Sequence, residues 1–264
     1  MTRIVDDILQ TLLDRDPPGQ EIHREADEYG DIIVAEHKQY RILRFDDLYE
    51  QSKVNMRSPE VPIHHYIQAM LMAISWQEEG DVLLLGLGGG SLLRALHAYN
   101  PARRLDVVEL RPRVLAVARS YFTLPDTSCV NYHIDDAERY LQQAQGRRYG
   151  VIFSDLYSAF SMSPLQGTEA FLERCRDALC DGGWLVLNYL EMPHGQTLLY
   201  HALYRVFTDV FFCETGSGNV VIYATCATCA TNAYRLKALR TQAARLGCDG
   251  VAEVGHLARY LTRL

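Results

Sequence analysis

The sequence predicts an α/β protein: a mostly parallel sheet of seven strands with helices on both faces and an antiparallel hairpin at its edge, preceded by a small antiparallel β segment. Three observations predict it. From residue 81 onward, continuous apolar runs alternate with amphipathic stretches, the pattern of a parallel sheet buried on both sides. The last two apolar runs are joined by only "GSGN", a hairpin-sized connection. Before residue 50, short runs rich in Ile, Val and Tyr are separated by polar turns. These shifts divide the chain into an N-terminal unit, 1–60, and a main unit, 61–264.

In order, residues 3–14 carry an amphipathic helical rhythm that "DPPG" ends. "IHREADE", "DIIVAEH" and "YRILRFD" then read as three strands of a meander, with Gly30 and "EHKQ" in the turns. Apolar residues at helical spacing in "IHHYIQAMLMAIS" predict a helix over 63–75. Beyond it, "DVLLLGL" pairs with "SLLRALHAY", "RLDVVEL" with "PRVLAVARSYF", and "VNYHIDD" with "AERYLQQA". "GVIFSDLY" pairs with "GTEAFLERCRDAL" and "GWLVLNYL" with "GQTLLYHALYRVF". "VFFCETG" and "NVVIYAT" form the hairpin, and "NAYRLKALRTQAARLG" a surface helix with basic residues on its wet face.

With 264 residues, 48% of them hydrophobic and 22% charged, the chain is long enough for a full core. A net charge of -7 offers no basic stripe for phosphate backbones, which argues against a nucleic-acid partner and mildly suits a cationic substrate. No segment approaches the roughly 18 apolar residues of a membrane span, and the N-terminus has no continuous apolar core for export, so a cytoplasmic protein is expected. The 7 cysteines have no framework spacing and fit reduced thiols. Cys226 and Cys229 form a single C-x-x-C without a second pair or flanking histidines, so no metal is expected.

In an open α/β sheet, ligands bind beyond the carboxyl ends of the strands. Gly86, Gly88, Gly89 and Gly90 follow the first strand, where glycine lets the backbone turn tightly and approach a ligand. Ser91 stands where the dinucleotide fingerprint needs a glycine, which counts against NAD. After the second strand comes Glu109, at the spacing of an acid that accepts both ribose hydroxyls. After the third come Asp135 and Asp136, one to cap the next helix and one to accept an adenine amino group. After the fourth, Asp155 enters a polar loop with Tyr157 and Ser158, the placement of an acid/base or cation-holding group. Each has a plain structural use as well: a tight connection for the glycines, a buried or capping acid at Glu109, a turn residue at Asp155. Together they describe a pocket for an adenosine bearing a sulfonium. His64 and His65 sit near the proposed entrance, with His65 a candidate substrate contact.

In "QSKVN", "VLLLGLGGGSLLR", "VVELRPRVLAVARSYF", "HIDDAERYL", "YGVIFSDLYSAF", "CDGGWLVLNYL" and "GNVVIYA" the chain resembles the spermidine synthase (polyamine aminopropyltransferase) family, with its Rossmann-like class I methyltransferase fold. That resemblance implies transfer of an aminopropyl group from decarboxylated S-adenosylmethionine to a small-molecule amine such as a polyamine, with methylthioadenosine as product, by a homodimer. It gives Gly86, Gly88 and Gly90 to the cofactor, Glu109 to the ribose, Asp136 to the adenine, Gln51 to the nucleoside, and Asp155 to the attacking amine. The chain departs from the family at two acids: Gly89 replaces the aspartate of the glycine turn, and Ser158 and Ala159 replace an Asp-Pro. The alternatives are methyl transfer from intact S-adenosylmethionine, leaving S-adenosylhomocysteine, and a non-catalytic nucleoside-binding relative.

Overall fold

The computed structural model describes residues 19–47, 50–144, 146, 148–157, 162–216, 218–227, 232–246 and 254–264. The helix expected over 3–14, Ser158 and Cys229 lie outside the described residues.

The N-terminal segment is a four-stranded antiparallel sheet, β1 (Gln20–Asp27), β2 (Gly30–His37), β3 (Tyr40–Arg44) and β4 (Glu50–Asn55), in sequential order. The sequence predicts three of these; the fourth is "EQSKVN", whose Ser52 and Val54 are buried between more open neighbours. Helix α1 (His65–Leu71), followed by a 3-10 turn at Met72–Ser75, fills the place of the helix expected over 63–75.

The main unit continues with β5 (Asp81–Leu85), α2 (Ser91–Tyr99), β6 (Leu105–Glu109), α3 (Pro112–Tyr121), β7 (Val130–Ile134), α4 (Ala137–Gln143) and β8 (Tyr149–Ser154). After a 3-10 turn at Pro164–Gly167 come α5 (Glu169–Ala178), β9 (Leu179–Tyr189), α6 (Leu198–Val206), β10 (Asp209–Glu214) and β11 (Val220–Thr225). The chain closes with α7 (Asn232–Leu246), α8 (Gly255–Ala258) and β12 (Thr262–Arg263).

The strand order is β12-β10-β11-β9-β8-β5-β6-β7, with β5 through β9 parallel. Side chains of a strand alternate between faces, and β5 splits accordingly. Val82 and Leu84 enter one core with Met70, Leu93 and Tyr223, while Leu83 and Leu85 enter the other with Phe171, Leu203 and Ile222. A third core joins Ile32, Val34, Leu43 and Val54 of the small sheet to Val114 and Val117 of α3.

The expected hairpin forms, but it is not the edge of the sheet. Strand β11 inserts antiparallel between β9 and β10, and β12, which the sequence reading did not anticipate, pairs with β10 through Phe211 and Phe212. Among the described residues the sheet therefore has eight strands rather than seven, and β12 covers backbone groups that β10 would otherwise leave unpaired. Among the described residues no helix is long and apolar enough to cross a membrane.

Because β5 lies between β6 and β8, the winding reverses at β5, and a crevice opens at the carboxyl ends of these strands.

Candidate active site

The glycine turn after β5 forms one wall of that crevice. Gly86, Gly88 and Gly90 have φ of 95°, 52° and 73°, a region that favours glycine. A Cβ on Gly86 would stand 2.4 Å from the Asp155 carbonyl oxygen, so the ends of β5 and β8 touch backbone to backbone. At Gly88 a Cβ would meet nothing within 4 Å, and this residue faces the cavity. Gly90, expected to line the cofactor, is turned into the protein instead. A Cβ there would lie 2.3 Å from Leu124 Cδ2, and its left-handed backbone serves to start α2.

At Gly89, where the resemblance places an acid, a Cβ would lie 2.6 Å from Ser52 Oγ. The Ser52 and Ser91 hydroxyls are buried 3.2 Å apart, and Arg94 sits behind them. Its guanidinium donates to the carbonyls of Gly89 (2.7 Å), Phe122 (2.6 Å) and Pro59 (2.8 Å), and burial pushes its pKa down to about 10. Two neutral hydroxyls in front of a buried cation thus occupy the acid's place.

Glu109 closes β6 and is buried at the cavity floor. Its Oε2 accepts from the Leu87 N–H (3.1 Å) and its Oε1 from the Arg111 N–H (2.9 Å). Burial raises its pKa, and these backbone donors work against the rise. Asp136 caps α4, Oδ1 accepting from Glu138 N and Arg139 N, both at 3.0 Å. Asp135 Oδ1 accepts from Asp136 N (2.8 Å) and pairs with Arg139. The expected division, one cap and one free acid, is therefore corrected. Both aspartates are engaged through Oδ1, while both line the cavity.

That cavity has a volume of about 730 Å³, in the range that holds a nucleoside and a second small molecule. Leu110, Ala137, Leu156, Pro164 and Leu165 give it apolar walls beside Glu109, Asp135 and Asp136. Gln51 lines it from the small sheet.

Asp155 leaves β8 on the far side of Gly86 and faces the same cavity. Its Oδ1 accepts from Asn188 Nδ2 (2.8 Å), and the Tyr66 hydroxyl donates to the same carboxylate. Burial pushes its pKa up to about 6, against the pull of these two donors. Asn219 Nδ2 holds Asn188 Oδ1 at 3.0 Å, and Tyr157 donates to the Asn188 carbonyl at 3.3 Å. Gln166 donates to that same carbonyl (3.0 Å) and accepts from Ser154 Oγ (2.8 Å), fixing the 3-10 turn at Pro164–Gly167.

The histidine assignment is reversed. His65 is exposed and packs edge-on against His256, 5.9 Å away, whereas His64, one residue before α1, lines the cavity. Burial pushes His64 down to about 4, so it is neutral near pH 7. Tyr66, Asn188 and Asn219 were missed as site residues. Asn188 does carry a signal in the sequence, because it precedes Tyr189 at the carboxyl end of an apolar strand, as the acids do in theirs. Cys226 is exposed, its thiol 3.4 Å from the Val206 carbonyl.

A family model described as the spermine/spermidine synthase domain matches residues 61–229, from just before α1 to past the end of β11. The chain belongs to the spermine/spermidine synthase family. Among its relatives, the polyamine aminopropyltransferase of Vibrio vulnificus (strain CMCP6) is 28% identical over 228 residues, covering 81% of this chain and 76% of that protein. Two solved structures share the fold. A probable spermidine synthase from Corynebacterium glutamicum superposes with a TM-score of 0.68 at 18% identity, over 86% of this chain and 88% of that one. Human methyltransferase-like protein 13, in complex with SAH, superposes with a TM-score of 0.61 at 22% identity, over 68% and 90%. The family match covers the glycine turn, Glu109, Asp136 and Asp155, while the small sheet with Gln51 and Ser52 precedes it.

Proposed function

We propose that this chain transfers an aminopropyl group from decarboxylated S-adenosylmethionine to an amine, with Glu109 holding the ribose and Asp155 the attacking nitrogen. The observation that carries the reading is the position of the two carboxylates. They flank Gly86–Gly88 in one cavity at the reversal point of the sheet, one fixed by backbone donors and the other tuned to a pKa of about 6. Asp136 beside the apolar walls suits the adenine, and Gln51 meets the nucleoside from the small sheet. A homodimer and the division at residue 60 belong to the same reading.

An amine arrives at neutral pH as an ammonium and must lose a proton before it attacks. Asp155 attracts the cation, accepts its hydrogen bond, and has a pKa close enough to neutrality to take the proton in passing. Tyr66 and Asn188 aim the carboxylate, Tyr157 adds a wall and a hydroxyl, and His64 contributes an uncharged face. The nitrogen lone pair forms the new N–C bond at the methylene next to sulfur. The C–S electrons leave with the sulfur as neutral methylthioadenosine, and the proton passes through Asp155 to water. Since the sulfonium is already activated, positioning supplies most of the acceleration.

One observation favours a second reading, methyl transfer from intact S-adenosylmethionine: Ser52 and Ser91, backed by Arg94, stand where the family aspartate would grip the donor's ammonium. Calorimetric titration with both donors separates the two. Tighter binding of the decarboxylated donor and release of methylthioadenosine support the first reading. Tighter binding of the carboxylated donor and release of S-adenosylhomocysteine defeat it, and no heat with either defeats both.

A further inference from the structure

The proposed chemistry leaves one buried charge at the cavity wall unused. Arg111 precedes α3, and its backbone N–H is the 2.9 Å donor to Glu109 Oε1. Its side chain runs the other way, into the small sheet. Nε donates to Asp27 Oδ2 (3.0 Å), and Nη2 donates to Asp27 Oδ1 (2.8 Å) and to the Gly30 carbonyl (2.8 Å). The guanidinium lies over the Phe45 ring, 4.7 Å from its centre, and both residues line the cavity. The Arg111 and Asp27 side chains are 8% and 12% exposed, which makes this a largely buried, two-pronged ion pair.

We propose that Arg111 is a positioning residue. Anchored to Asp27 at the end of β1, it fixes the backbone donor that orients Glu109, so that docking of the β1–β2 hairpin sets the geometry of the ribose site. This rests on the reading of Glu109 as the ribose acid. Removing one partner of such a pair leaves an uncompensated buried charge, and Glu109 already feels the Arg111 cation. A guanidinium without Asp27 pulls on Glu109 and draws the carboxylate away from the sugar. The small sheet has other contacts that seat it on α3 and the segment after it. The apolar core with α3, the bond from Arg41 to the Tyr121 carbonyl (2.6 Å) and the stack of His23 on Tyr121 (5.0 Å) all remain.

The test is Asp27→Asn, read by calorimetric titration with methylthioadenosine and by steady-state kinetics. The expected result is a dissociation constant and a donor KM raised about tenfold, with kcat retained at saturation and a cooperative melting transition. Arg111→Lys keeps the cation and the backbone donor but loses the fork, and an intermediate loss of affinity is expected. Glu25→Gln, which breaks the exposed pair with Arg113 (3.1 Å) between the same two elements, is expected to leave affinity unchanged. Affinity within about twofold of wild type in both Asp27→Asn and Arg111→Lys, or an equal loss in Glu25→Gln, overturns the role of Arg111 alone. Wild-type protein that does not bind methylthioadenosine overturns the functional reading and this inference together.

Discussion

Replacing Asp155 by asparagine separates what this residue does for stability from what it does for the reaction. Its carboxyl is raised from 3.8 to about 6, so the folded state holds a proton that the unfolded chain has released over that interval. Stability therefore falls as the pH rises through the window, and the ionised carboxylate costs the fold up to about 3 kcal/mol at pH 8, an upper bound that water in the cavity lowers. Asparagine removes that charge at nearly the same volume. It keeps one accepting oxygen but sets an NH2 group against Tyr66 or Asn188, both of which donate here, and this returns about 1 kcal/mol. The variant should accordingly melt a few degrees above wild type at pH 8, with the gap shrinking toward pH 5 as the wild-type carboxyl protonates. Its turnover should fall about 10- to 100-fold, the worth of one charge-assisted hydrogen bond to an ammonium. Wild-type kcat/KM should drop as the pH falls through about 6, and the variant should lack that limb. Scanning calorimetry across pH and chromatographic quantification of the released nucleoside measure both effects. A variant that turns over at the wild-type rate, or that melts lower than wild type at pH 8, would refute the reasoning.

Glu109→Ala should weaken methylthioadenosine binding at least about 100-fold by calorimetry, whereas Asp155→Asn leaves it nearly intact; equal losses would dissolve the division between a nucleoside half and an acceptor half. Asn188→Ala removes a donor that lowers the Asp155 pKa, so the acidic limb of the rate profile should move to higher pH; an unmoved limb would mean that Asn188 does not tune the acid. Gly90→Ala forces a Cβ into Leu124 and a side chain onto φ of 73°, and should cost about 1–3 kcal/mol in thermal unfolding; a cost near zero would mean that the turn yields freely.

The parallel sheet was legible because buried strands of this kind are continuous apolar runs, and the acids were legible because each ends such a run. Strand β4 was hidden because "EQSKVN" alternates polar and small residues with a single large apolar one, and β12 because it is two residues long and held by pairing rather than by pattern. The choice of His64 over His65 depended on where α1 begins, and a shift of one helical position turns a side chain by about 100°. Tyr66, Asn188 and Asn219 come from α1, β9 and the β10–β11 connection, and no local spacing links them. The replacement at Gly89 was visible as a missing acid, but its physical meaning required Ser52, which reaches the turn from a different sheet.

The elements around the cavity also differ in their distance along the chain. The residues of the main unit proposed for the sugar and purine fall within 86–136, a compact run, whereas Asp155 on the opposite wall is held by Tyr66 and by Asn188, which Asn219 fixes in turn. A ribosome therefore finishes that run long before Asn219 emerges. Exchange of the final third of the polypeptide between relatives would replace Asn188 and Asn219, which hold Asp155 in place, and leave residues 86–136 as they are.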